Sequence, residues 1–289
     1  MRGYILRRLV ISVVTIWIIA TCSFFLLHAL PGNPFASQKL MSREMLDNMM
    51  SYYGLNKPIM EQYQIFMKNL MRGDFGYSIK YVGQSVNHVI AQTFPVSARL
   101  GAQAYLLSFP AGVFFGIVAA RRRGKPIDYG LVAFSVVGIS VPAFVLASLL
   151  QYVFAIRLGW LPVAQWRSFA YTILPTLALS MGVVAGKTKV MRTLMLEITS
   201  EDYVKTAKAK GLSASGIVWR HQIRNAIIPM IPSIGMEIVA LLMGSFVVEK
   251  IFAIPGIGAY FVSSVQSLDY TMTLGLTVFF GVFVVSANF

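Results

Sequence analysis

Six mostly apolar runs, separated by polar segments of very unequal length, set the pattern of this chain: 9–30, 96–120, 129–156, 171–186 with its flanks, 227–248 and 272–289. A hydrocarbon core of about 30 Å takes about 20 helical residues to cross, so each run reads as a transmembrane helix. The first is too long for a cleaved signal peptide, whose apolar core is about 7–15 residues. Segment 31–95 is polar and aromatic-rich, and within it 45–65 reads as one or two amphipathic helices turned at Gly54 and Pro58. Pro110, Pro142 and Pro175 fall inside spans and predict kinks, because each removes a backbone donor that neighbours must compensate. Gly112 with Gly116, and Gly182 with Gly186, have the small-xxx-small spacing that lets helices approach closely. The sixth run reaches Phe289 still apolar, so the reading is of a chain cut short there.

Composition agrees with a membrane protein. Of the 289 residues, 56% are hydrophobic and 12% charged, against about 25% charged in a soluble domain. The net charge of +14 does not point to nucleic acid, because the cations cluster beside the apolar runs. With the N-terminus inside, the inner segments collect Arg2, Arg7 and Arg8, then Arg121, Arg122, Arg123 and Lys125. Lys187, Lys189, Arg192, Lys205, Lys208, Lys210, Arg220 and Arg224 follow after the fourth span. The short outer loops hold only Arg157, Arg167 and Lys250. That asymmetry predicts a multi-pass membrane protein with its N-terminus in the cytoplasm. Cys22 is the single cysteine, so no internal disulfide forms.

The segment 201–229 is a basic, helix-prone stretch held between two spans. Ser200 is placed to cap a helix whose first turn carries Glu201 and Asp202, favourable to its dipole. Tyr203, Ala207 and Lys210 share one face, and Lys205 and Lys208 lie on another. Gly211 ends the helix, a second amphipathic piece follows over 217–228, and Pro229 opens the fifth span. The alternative is an amphipathic helix resting on the membrane surface.

The loop resembles the EAA loop of importer-type ABC permeases, with Lys205, Thr206, Ala207 and Gly211 at the signature positions, of which only Ala207 and Gly211 keep the general residue. Asp202-Tyr203-Val204-Lys205-Thr206-Ala207-Lys208-Ala209-Lys210-Gly211-Leu212, with His221 and Arg224-Asn225-Ala226, is similar to the dipeptide and oligopeptide branch. So are Leu30-Pro31-Gly32-Asn33-Pro34, although the family more often has Asp at Asn33, and Tyr53-Gly54-Leu55-Asn56-Lys57-Pro58. Gly73-Asp74-Phe75-Gly76-Tyr77-Ser78, Val248-Glu249 through Phe252, and Ile254-Pro255-Gly256-Ile257-Gly258 extend the likeness to the whole chain.

The resemblance implies an all-α polytopic fold of six transmembrane helices, of the type I importer permease architecture. Its parts would be 1–30 (N-terminus and first helix), 31–95 (extracytoplasmic segment) and 96–289 (permease core), with a coupling loop at 187–229. It implies the first of two paired permeases of a peptide importer, itself non-catalytic. The implied partners are a second permease, two cytoplasmic ABC ATPases and an extracytoplasmic peptide-binding protein, and the lipid bilayer surrounds the assembly. ATP and Mg would bind the ATPases, and no cofactor this chain. Loop 197–229 would dock on an ATPase through Glu201, Asp202, Tyr203, Lys205, Thr206, Ala207, Lys210 and Gly211. The 31–95 segment would receive the binding protein, cap the outer gate, or be a plain folded loop. Permeases for nickel or another small solute look similar. A self-sufficient secondary transporter would more often show ion-coupling charges or an internal repeat; here Glu237 is essentially the one such charge and no repeat is evident.

Glu237 stands inside the fifth run, where a carboxylate costs about 2.5–3.5 kcal/mol near a helix centre. It is expected to line the translocation path or meet the second permease; the plainer reading is a neutral or snorkelling carboxylate near the helix start. Gly182 to Thr188 has three residues between its glycines where a phosphate-binding loop needs four, so it binds no nucleotide. His28, His88 and His221 have no metal-ligand spacing, and no Ser–His–Asp set suggests a hydrolase.

Overall fold

The computed structural model describes residues 2–29, 50–51, 54–81 and 83–288. The expected motif at 30–34, Tyr53, and the stretch 45–49 lie outside them. Among the described residues the secondary structure is helical: α1 (Arg2–Ala29), α2 (Ile59–Met71), α3 (Val86–Arg121), α4 (Pro126–Ser140), α5 (Ala143–Leu150), α6 (Ala170–Thr199), α7 (Asp202–Ala209), α8 (Ala214–Ile217), α9 (Ile223–Ile227), α10 (Ile234–Ile251), α11 (Ile257–Gln266) and α12 (Tyr270–Ala287). Among the described residues five helical stretches are long and apolar enough to cross a membrane, and a sharply bent helix pair makes six if it crosses once.

That bent pair stands where a single span kinked at Pro142 is expected over 129–156. α4 and the helix Ala143–Arg157, π-helical in its second half, meet at 102°. Pro142 supplies no backbone donor and pushes the residue before it out of helical geometry; Val141 is extended, with φ −86° and ψ 119°. α4 has 15 residues, about 22 Å at 1.5 Å per residue, so it falls short of a hydrocarbon core of about 30 Å. Pro110 and Pro175 leave their helices unbroken. The other boundaries also move. α3 begins ten residues before the expected span, since polar residues such as Asn87 and Gln92 hide its first turns from a hydropathy reading.

The chain divides into two compact units, residues 1–96 with 256–289, and residues 97–255. In the first, Asp269 organises the turn that enters α12. Its buried carboxylate accepts from the backbone N–H of Met272 (3.1 Å), Ile79 (3.1 Å) and Lys80 (3.3 Å) and from the Ser78 hydroxyl. It is thus the N-cap of α12 and the fixing point of segment 78–80. The Gly73–Ser78 motif is closed by Asn87, which accepts from Phe75 N–H and donates to the Gly73 carbonyl. Gly76 has φ +86°, and a Cβ there would come within 2.7 Å of Thr271.

In the second unit α6 is the helix against which others pack. A Cβ on Gly112 would lie 2.5 Å from Cβ of Lys187, and one on Gly116 2.5 Å from Cβ of Met191. These α3 glycines bring its backbone down onto α6, where the Ser180 hydroxyl donates to the Ala104 carbonyl at 3.1 Å. Gly138 brings α4 onto Ala185 in the same way. The second glycine pair does not share this role fully, because Gly186 faces open space.

Gly116→Val is therefore expected to destabilise the protein by about 1–3 kcal/mol through overpacking, whereas Gly186→Ala stays within about 0.5 kcal/mol; thermal unfolding in detergent measures both. Asp269→Ala strands several buried donors and should cost about 3 kcal/mol. Its signature is faster amide hydrogen exchange at Ile79 and Met272 with little change in the second unit.

Candidate functional site

The basic loop leaves α6 through Ser200 and returns through one long helical stretch, Ala214–Ile251. Ser200 does not cap the loop helix as expected. It completes the end of α6, its hydroxyl donating to the Glu197 carbonyl, and the extended Glu201 is the N-cap residue of α7. Gly211 has φ +77°, the left-handed conformation that closes a helix at low cost in glycine.

α7 separates its residues by face. Val204 and Ala207 are buried against Ile217, with Ile198 of α6 and Leu212 packed beside them. The expected grouping of Ala207 with Tyr203 and Lys210 is thus corrected: Ala207 seats the helix, and Tyr203 and Lys210 point outward. Glu201, Asp202, Lys205, Thr206 and Gly211 are exposed as well. The Lys205–Asp202 pair at 2.8 Å is open to solvent and so adds little stability. Its side chains are free to meet another surface. Trp219 of the same loop, outside the expected site residues, is 64% exposed; an indole in a basic amphipathic segment is the signal that could have found it.

A larger apolar cluster fastens the loop to the spans. Met191 and Met195 of α6, Ile117 of α3, and Val218, Ile223, Ala226 and Met230 are buried together, with Ile198 packed against them too. Gln222 adds a hydrogen bond to the Thr199 hydroxyl at 3.1 Å. Ile198 belongs to the surroundings of both clusters, so α7 and the end of α6 form one packed body.

Two ion pairs join helices of this unit. The charge pattern places Lys187 and Arg192 in the polar loop, but α6 continues to Thr199 and carries both into the bundle. Lys187 is buried and meets Glu237 at 2.5 Å, while also donating to the Ser233 hydroxyl at 3.0 Å and lying 5.4 Å from the Phe109 ring centre. Tyr105 lies beside the same carboxylate, without a hydrogen bond of ordinary geometry. Arg192 clamps Asp128 with two bonds of 2.6 and 2.8 Å, and Gly124 N–H donates to the same carboxylate. Lys187, Met191 and Met195 recur at four-residue steps; this helical stripe was the signal that Lys187 faces inward.

Glu237 lines a cavity of about 330 Å³ bounded by Gly138, Pro142, Ala178, Gly182 and Ala240. The break between α4 and α5 therefore opens onto the same space. Irregular backbone at membrane depth is tolerated where it is enclosed by protein or lines a water-filled cavity. Among the described residues no cluster of His, Cys, Asp and Glu could hold a metal ion.

Residues 112–289 match the family described as binding-protein-dependent transport system inner membrane component, and residues 1–101 match the N-terminal family of the same membrane components. The oligopeptide transport system permease protein of Haemophilus influenzae is 40% identical over 100% of this chain and 95% of its own length. The dipeptide transport system permease protein of Bacillus subtilis is 40% identical over 99% and 92%, and that of Lactococcus lactis 41% over 96% and 92%. Two family models between them take in nearly the whole chain, and the chain is a member of the binding-protein-dependent transport system inner membrane component family.

Proposed function

We propose that this chain is the first permease subunit of an ATP-driven importer of dipeptides or oligopeptides. The observation that carries the reading is the full-length similarity to permeases named for peptide transport. The chain would pair with a second permease to enclose the path, with two ABC ATPases on the cytoplasmic side and a peptide-binding protein outside. ATP and Mg belong to the ATPases in this reading, and the chain itself carries no catalysis.

Charge and the bent third span together support one orientation. If α4 and α5 cross once, Arg7, Arg8, the 121–125 cations and the 197–229 loop all face one side. A re-entrant pair would put the loop on the opposite side from the first two groups. The positive-inside tendency favours the single crossing with the N-terminus in the cytoplasm. α7 then presents Tyr203, Lys205, Thr206 and Lys210 to the ATPase, and Val204 and Ala207 hold it to the permease. Glu237 and the α4–α5 break line the path through the subunit.

The two faces of α7 give separable outcomes. The triple change Tyr203→Ala, Lys205→Ala and Lys210→Ala removes only outward side chains and should leave folding stability within about 1 kcal/mol. Peptide-stimulated ATP hydrolysis by the co-expressed complex in lipid should fall at least tenfold. Ala207→Leu should instead destabilise the permease by about 1–3 kcal/mol by overpacking against Ile217. If no ATPase co-purifies, or the triple variant is stimulated as fully as wild type, the reading fails.

A further inference from the structure

The long helical stretch that follows the loop is weakest just before the Lys187–Glu237 contact. Residues Ile228–Ser233 form a 3₁₀ turn containing Pro229 and Pro232. Two prolines remove two backbone donors, and 3₁₀ geometry within a helix marks a place where its direction can change. Beyond this turn α10 begins, with Ser233 as its flanking residue and Glu237 in its first turn. Lys187 holds both: its ammonium meets the Glu237 carboxylate and donates to the Ser233 hydroxyl. It stands on α6, the helix that enters the loop.

We propose that Lys187 and Glu237 are positioning residues for coupling, pinning the start of α10 to α6 so that movement of the loop reaches the cavity instead of being absorbed by the proline turn. The proposal rests on the permease reading. On the loop side, a displacement of α7 is passed by Val204 and Ala207 to Ile198 and Ile217. Met191 and Met195 of α6 with Val218, Ile223 and Met230 then tie the entering helix to the returning stretch as far as the 3₁₀ turn. This cluster ends at Met230. The next tie between α6 and the beginning of α10 is the ion pair, and Glu237 with Ala240 and Leu241 forms one wall of the cavity facing Pro142. A contiguous chain of contacts is not by itself a coupling path; the pair must alter the energetics of the switch.

The charges also explain why a plain apolar contact does not stand there. An ion pair inside a membrane bundle is strong only while both partners stay aligned. It therefore resists a separation of α6 from α10 more steeply than an apolar contact, which can slide.

The test uses the assembled complex in liposomes loaded with peptide-binding protein, and reads peptide transported per ATP hydrolysed. Glu237→Gln preserves the shape of the side chain, and Lys187→Met combined with Glu237→Gln removes the charge pair without stranding an ammonium. Both complexes are expected to be recovered within about twofold of wild type, with transport per ATP at least tenfold lower. A ratio within twofold of wild type in the double variant overturns the proposal. So does a loss of transport fully explained by lost assembly, or failure of both variants to assemble, since the pair would then be a folding element only. A wild-type complex without peptide-dependent ATP hydrolysis would instead remove the permease reading beneath it.

Discussion

A charge placed inside a membrane bundle must find its counter-charge within the bundle, and the second unit is arranged around that constraint. Apolar side chains gain nothing by leaving lipid for one another as they would by leaving water, so helices associate through close packing and polar contacts. α6 supplies both. Its small-residue neighbours, Gly112 and Gly116 on α3 and Gly138 on α4, bring backbones close enough for the packing to count. Two of its cations then select partners: Arg192, half-buried, fixes the start of α4 through Asp128, and the buried Lys187 fixes the start of α10 through Glu237. Removing one member of such a pair strands the other, so these contacts specify which helices meet more than they add net stability.

The loop depends on the same helix. α7 has only eight residues, far too few to be stable in water alone. Its order comes from Val204 and Ala207 inserted against Ile198, Leu212 and Ile217. A small residue at Ala207 lets the helix lie close to the returning segment, and its remaining positions can be spent on an outer surface. The division of labour within one short helix suits a part that must be held firmly on one side and recognised on the other.

Much of this was legible in the sequence. The apolar runs, the loop between the fourth and fifth, the glycine that ends α7 and the close approach at Gly112 and Gly116 all follow from local chemistry. What was hidden depended on knowing where a span ends. Lys187 and Arg192 read as loop cations because hydropathy falls near Gly186, although α6 runs on to Thr199. Hydropathy averages over a turn and cannot distinguish a lysine in water from one paired with Glu237; the helical stripe of Lys187, Met191 and Met195 can. Trp219 was missed because no spacing rule marks a single exposed indole. Nothing local in the sequence marks Asp269 as an anchor, since two of the amides it binds, Ile79 and Lys80, come from residues nearly two hundred positions earlier.

Pro142 was read as a kink, but its effect is larger because of what surrounds it. Pro110 and Pro175 lie in helices that continue through them, so a proline alone does not decide the outcome. At Val141–Pro142 the chain turns by 102°, and the backbone freed by the turn lies at the wall of the cavity that Glu237 also lines. A turn of this size facing lipid would leave polar groups unsatisfied in hydrocarbon. The break, the cavity and the paired carboxylate thus belong to one arrangement: an irregular span needs an enclosed or wet space beside it, and that space is bounded by the helix whose start the Lys187–Glu237 pair holds.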